Sequence, residues 1–266
     1  AMHRYVRLRK RVLGLETIHM YDLYTHIVDE VEMNIPYDQA WDLVLEGLKP
    51  LGEDYRQQLL QARAGGWVDV YENEGKTSGA YSNSVYGVHP YVLLNYQDTL
   101  DNALTLAHEL GHAMHSALSN ARQPYATAGY PLILAEVAST VNEALVTCYL
   151  LDHTSGKERL YILNNYLETI RTTVYRQVMF AEFEMKAHQR AEAGEDLTPQ
   201  SICALYGDIN QAYYGPDMVT DERIALEWAR IPHFYSTFYV YKYATGFSAA
   251  LAIATAILQG REGALE

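Results

Sequence analysis

Thr105-Leu106-Ala107-His108-Glu109-Leu110-Gly111-His112 lies inside a stretch whose apolar spacing predicts a helix from Asp101 to Leu118. Residues four apart share one helical face. His108 and His112 can therefore offer two ring nitrogens to one zinc, while Glu109 projects beside the metal toward an attacking water. Five residues of this kind also occur by chance in amphipathic helices whose histidines are satisfied structurally. The rest of the chain has to supply a third ligand.

A catalytic zinc keeps three protein ligands and one open position. One metalloprotease pattern takes its third ligand from a histidine six residues after the second, with a glycine three residues after it; here those positions are Leu118 and His115, so that pattern fails. A second predicted helix, Leu132 to Leu151, follows one short connection and is expected to pack antiparallel to the first. Glu136, near its start, is the expected third ligand. Glu143 is expected to hold the second ring nitrogen of a ligand histidine. His115 reads as structural.

Around these helices the pattern is mainly α. Asp38 to Arg63 has helical spacing interrupted by Pro50, and a long helical run extends from Glu158 to about Ala191. Pro131 suits a first helical turn, Thr198-Pro199 an N-cap followed by proline, and Gly215-Pro216 a stop. Trp67 to Tyr71 and Tyr91 to Tyr96 read as strands, with a loop or edge strand between them at Glu74 to Tyr86. The expected fold is a zincin-like helical domain, with a small antiparallel β-sheet, about residues 66–97, beside the active-site helix. Residues 1–266 are read as one domain.

Composition narrows the partners. The chain has 266 residues, 49% hydrophobic, and a net charge of −13, which suits one large soluble core and disfavours binding to phosphate backbones. Arg4 to Arg11 is the one basic segment and reads as the solvated face of a first helix. Two cysteines, Cys148 and Cys203, fit a reducing compartment, and no signal-peptide core or long uncharged apolar run is present. The expectation is a cytoplasmic protein with no nucleic-acid or membrane partner. There are 23 Tyr against 5 Phe, an excess of rings that can bury while a hydroxyl keeps a partner.

Gly79-Ala80-Tyr81-Ser82, Pro90 to Asp98, Thr105 to His112, Ala135-Glu136-Val137-Ala138-Ser139-Thr140 and Glu227 to Tyr235 together resemble the oligoendopeptidase F family of zinc metallopeptidases, relatives of thimet oligopeptidase. The resemblance implies a helical fold with a deep channel, one zinc per chain on His108, His112 and Glu136, and cleavage of short unfolded peptides in the cytoplasm with Glu109 as the base. Family members are about twice as long, so the chain reads as the catalytic portion without the N-terminal half and the extreme C-terminus. Ala1-Met2 resembles an expression remnant, and Leu265-Glu266 is a second candidate. A truncated module that binds zinc and peptide with little turnover is the alternative, and self-association stays open.

The oxyanion formed during hydrolysis needs donors besides the metal. His233 and the tyrosines at 235, 239, 241 and 243 are candidates, and core packing is expected to claim at least two of those tyrosines. If the segment is helical, Tyr239 and Tyr243 share a face and Tyr241 takes another. The family's C-terminal His and Tyr residues point to His233 and Tyr241, with Tyr239 third. Gly79, Ala80, Tyr81 and Tyr235 are the expected substrate contacts, the small residues allowing an extended backbone to approach. The helix bearing Arg176, Glu182, Glu184 and His188 reads as scaffold.

Overall fold

The computed structural model describes residues 1–28, 31 and 33–265. Glu266, half of the suspected C-terminal remnant, lies outside the described residues. The elements are α1 (Met2–Val12), β1 (Ile18–His19), α2 (Tyr37–Gly47), α3 (Glu53–Ala64), β2 (Val68–Asp69), β3 (Tyr81–Asn83), β4 (Tyr91–Leu93), α4 (Leu100–Arg122), α5 (Leu132–His153), α6 (Gly156–Thr169), α7 (Arg176–Glu192), α8 (Pro199–Tyr214), β5 (Met218–Val219) and α9 (Tyr241–Leu258). The chain divides into two compact units, Ala1–Glu30 with Asn164–Thr245 and Val31–Leu163 with Gly246–Glu266.

In the unit built on α4 and α5, Trp41, Val44 and Leu48 of the α2 region pack with Leu59, Leu106, Leu110, Met114, Leu145 and Val146. Thr99 caps α4, its Oγ1 accepting the Asn102 N–H at 3.2 Å. α2 stops at Gly47, and Pro50 falls in a 3-10 turn before α3, as the break in spacing predicts. Pro131 is the N-cap of α5, one position earlier than expected. α4 and α5 pass in close contact: a Cβ on Gly111 would stand 2.6 Å from Ser139 Cα and 3.1 Å from the Ala138 carbonyl. Asn142 Nδ2 donates to the Ala107 carbonyl at 3.2 Å, and Tyr55 donates to Asn142 Oδ1 at 3.0 Å, so the crossing is tied by a buried amide. By length and apolar composition α5 could cross a membrane, yet part of it is buried in this core.

The sheet of this unit has the order β2-β4-β3. β3 and β4 are antiparallel, with Ser82 opposite Val92, but β2 runs parallel to β4, so the sheet is mixed and not wholly antiparallel. Alternating burial reports which face is inside and carries no information on strand direction. The polar stretch after β2 lets the chain return before β4. β3 falls in the stretch read as loop or edge strand and lies at the sheet edge.

The second unit has its own core of Val6, Ile18, Phe180, Phe183, Tyr206, Ile209, Tyr214 and Met218. β1 and β5 form a parallel pair that sequence reading misses, because two residues carry no period. α6 and α7 are one long helical run, as predicted, but a π-helical segment, Ile170–Tyr175, joins them. Thr198 caps α8 with Ser201 in a reciprocal pair. The basic face of α1 is only partly solvated. Arg9 is 2% exposed, bonded to Glu168 at 3.0 Å and to the carbonyls of Asp22 and Thr25, with Tyr5 on the same carboxylate.

Two stability predictions follow from these contacts. Arg9→Ala leaves Glu168 short of a buried partner and is expected to destabilise the fold by about 3 kcal/mol, whereas Arg4→Ala, at an exposed position, changes the urea midpoint little. Gly111→Ala forces a methyl against the α5 backbone and is expected to cost about 1–3 kcal/mol, read as a fall in Tm despite the better helix propensity of alanine.

Candidate metal centre

The close crossing at Gly111 carries the start of α5 past the motif face of α4. Ligand atoms of His108, His112 and Glu136 all lie within 4.8 Å of one another. Glu136 Oε2 is 3.6 Å from His108 Nε2 and 3.9 Å from His112 Nε2. The His108 ring is held from behind. His108 Nδ1 is 3.2 Å from Glu143 Oε2, so this imidazole directs Nε2 toward the shared centre. Two imidazoles and a carboxylate form the donor set that suits a tetrahedral zinc with one open position.

The electrostatics differ between the two histidines. Burial alone would lower His108, but Glu143 on Nδ1, with Glu109 and Glu136 nearby, outweighs it and raises its pKa. His112, with less help from carboxylates, falls to about 4 through burial and the neighbouring His108. It is therefore neutral and ready to ligate at pH 7. Glu109 is 6% exposed, and burial raises its pKa against the charge of His108 and a hydrogen bond from the Ser82 backbone. Its Oε2 is buried with no hydrogen-bond partner among the described residues. An acceptor oxygen left free beside a metal donor set is what a base for an attacking water requires.

The expected substrate contacts divide. Gly79, at φ 89° with open space where a Cβ would sit, and the half-buried Ala80 lead into β3, where Tyr81 is exposed; β3 packs against α4, which carries Glu109. The edge strand therefore lies against the helix of the His-Glu motif. Tyr235 belongs to the other unit and is 88% exposed. His115 stacks on Tyr130 at 3.8 Å and is no part of the ligand cluster.

In the unit built on α7 and α8, His233, Tyr239 and Tyr243 form one aromatic cluster. His233 stacks on Tyr239 at 5.6 Å, its Nε2 is 3.1 Å from the Tyr243 hydroxyl, and Tyr239 meets Tyr243 edge-on at 5.6 Å. α9 begins only at Tyr241, so Tyr239 meets Tyr243 from a turn preceding the helix, not from within it. Tyr241 is half exposed and has no ring contact in this cluster. Tyr243 is the cluster member that the sequence offers as a candidate donor but that the family resemblance does not single out. Gly111, Ser82 and Asn142 were also passed over. For Gly111 a signal existed, since a glycine within a helix is costly unless something must come close.

Comparison with known proteins gives the family. The model of peptidase family M3 matches residues 1–264. Oligopeptidase PepF of Bacillus subtilis (strain 168) is 50% identical over 266 residues, covering 100% of this chain and 40% of that protein. An oligoendopeptidase F homolog of Lactococcus lactis subsp. lactis is 45% identical, covering 97% of this chain and 43% of that protein. Oligoendopeptidase-F from Enterococcus faecium superposes with a TM-score of 0.73 at 38% identity, over 99% of this chain and 40% of that one. The chain thus spans less than half the length of the relatives it matches. With the family model matched over almost its whole length, the chain belongs to peptidase family M3.

Proposed function

We propose that this chain is the catalytic portion of a zinc-dependent, cytoplasmic endopeptidase acting on short unfolded peptides, with residues 1–266 serving as one catalytic domain. The observation that carries the reading is Glu109: a buried carboxylate with an unpartnered oxygen, one residue from a His-His-Glu donor set. His108, His112 and Glu136 would hold one zinc, and Glu143 would keep His108 in its ligating tautomer. Zinc bound there would lower the pKa of a water toward about 7 and polarise the scissile carbonyl.

Glu109 accepts the proton of the attacking water and returns it to the leaving amine, a role favoured by its raised pKa. The substrate is proposed to lie extended along β3, its backbone admitted by Gly79 and Ala80 beside Tyr81. His233, Tyr241 and Tyr239 are proposed as donors to the oxyanion, a role taken from the family resemblance, with Tyr235 as a further contact. Phenols donate without adding charge at neutral pH. Relatives named oligopeptidases at 45–50% identity support peptides as the substrate class.

Metal analysis combined with hydrolysis of a quenched peptide tests the reading. Glu109→Gln should retain zinc and lose cleavage by about 100-fold or more; a zinc-loaded variant with undiminished cleavage would overturn the mechanism. Because the chain spans 40–43% of the two sequence relatives compared, zinc and peptide binding with negligible wild-type cleavage would instead favour a binding module. Tyr241→Phe should lower kcat by about 10- to 100-fold with zinc content unchanged, measured at saturating peptide.

A further inference from the structure

The geometry points to Glu184 of α7 as a positioning residue that sets the His233, Tyr239 and Tyr243 cluster through the backbone of Phe238. The assignment rests on the reading of His233 and Tyr239 as oxyanion donors. It gives a working role to a helix whose sequence suggests scaffold alone.

Glu184 is 5% exposed in an aromatic neighbourhood, where a carboxylate is costly unless it is bonded. Its Oε1 accepts the Phe238 N–H at 2.7 Å, a charge-assisted bond of the stronger class. Phe238 stands at φ 53°, in the left-handed region that bulky residues rarely adopt. Something must hold it there. One turn along α7, His188 donates from Nδ1 to the Glu184 carbonyl at 2.8 Å and lays its ring against that of Phe238, at 4.7 Å. Carboxylate and imidazole thus grip the same residue by backbone and by ring.

The other end of the loop is held by the same helix. Phe234 packs on Phe180 at 5.5 Å and on Phe183 at 5.3 Å. Between the two grips the backbone closes short turns, Ser236 N–H to the His233 carbonyl at 3.0 Å and Tyr239 N–H to the Ser236 carbonyl at 3.1 Å. His233 and Tyr239 flank this held segment on its two sides. Their stacking, and the bond from His233 to Tyr243, depend on Phe238 keeping its unusual turn. Without the Glu184 acceptor, Phe238 relaxes to negative φ and carries Tyr239 away from His233. Donors misplaced by about 1 Å can cost about 100-fold in rate.

The test uses the full chain, loaded with zinc, in wild-type, Glu184→Ala and Glu184→Gln forms, with two readouts. Hydrogen exchange of the Phe238 amide reports the bond itself, and steady-state hydrolysis of a quenched peptide reports its consequence. Glu184→Ala should lose protection at Phe238 and lower kcat by about 10- to 100-fold, with KM within about twofold of wild type. Glu184→Gln keeps an oxygen acceptor in place and should retain both protection and most of kcat. If glutamine falls as far as alanine, or if alanine leaves protection and kcat unchanged, the assignment is overturned. Should the alanine chain fail to fold, Glu184→Asp withdraws the acceptor by one methylene and is read in the same way. If wild-type protein cleaves no peptide, the proposed function fails, and amide protection alone decides the role of Glu184.

Discussion

How near two helices can pass at one residue governs the His108, His112 and Glu136 group. A helical glycine costs about 1 kcal/mol relative to alanine, and Gly111 sits between the two histidines of the motif. With no side chain there, α5 comes within contact of the α4 backbone at Ser139, and Asn142 reaches the Ala107 carbonyl. That approach sets Glu136 opposite both Nε2 atoms and Glu143 behind His108. Glu109, beside His108, is buried, which raises the affinity of its carboxylate for a proton. The spacing of the His-His-Glu group thus rests on one packing constraint.

Local patterns were legible in the sequence, and distant partnerships were not. The motif, the Pro50 break and the Thr198 cap depend on residues within a few positions of one another, so spacing alone exposes them. Arg9 read as a solvated cation because its partner, Glu168, lies 159 positions away. The direction of β2 was hidden for a related reason, since alternation encodes faces and not neighbours. Glu136 and Glu143 were legible as candidates because a short connection and helical phase restrict what α5 can present to α4. The cluster around His233 was only half legible: a run rich in tyrosine announces itself, but which ring meets the imidazole depends on a left-handed residue with no sequence signature.

The aromatic composition resolves into two kinds of work. Four of the five phenylalanines, Phe180, Phe183, Phe234 and Phe238, serve the loop that α7 holds. Many tyrosines instead use the hydroxyl as a tie: Tyr206 to Glu227 at 2.5 Å, Tyr213 to Glu182 at 2.8 Å, Tyr96 to the Ile35 carbonyl at 2.7 Å and Tyr55 to Asn142. A ring that buries area and still satisfies a polar neighbour suits a helical protein whose ion pairs and amides lie close to its cores.

The π-helical segment at Ile170–Tyr175 sets a phase as well as joining two helices. Each residue of an α-helix advances about 100° around the axis, so the wider turn fixes the angular offset between Glu168, which holds Arg9, and Glu184, which holds Phe238. The segment works as a vernier. A single-residue insertion or deletion there would leave helix content almost intact while rotating every downstream side chain of α7 away from its partner, which makes chain length in this stretch, more than residue identity, the quantity the fold has to keep.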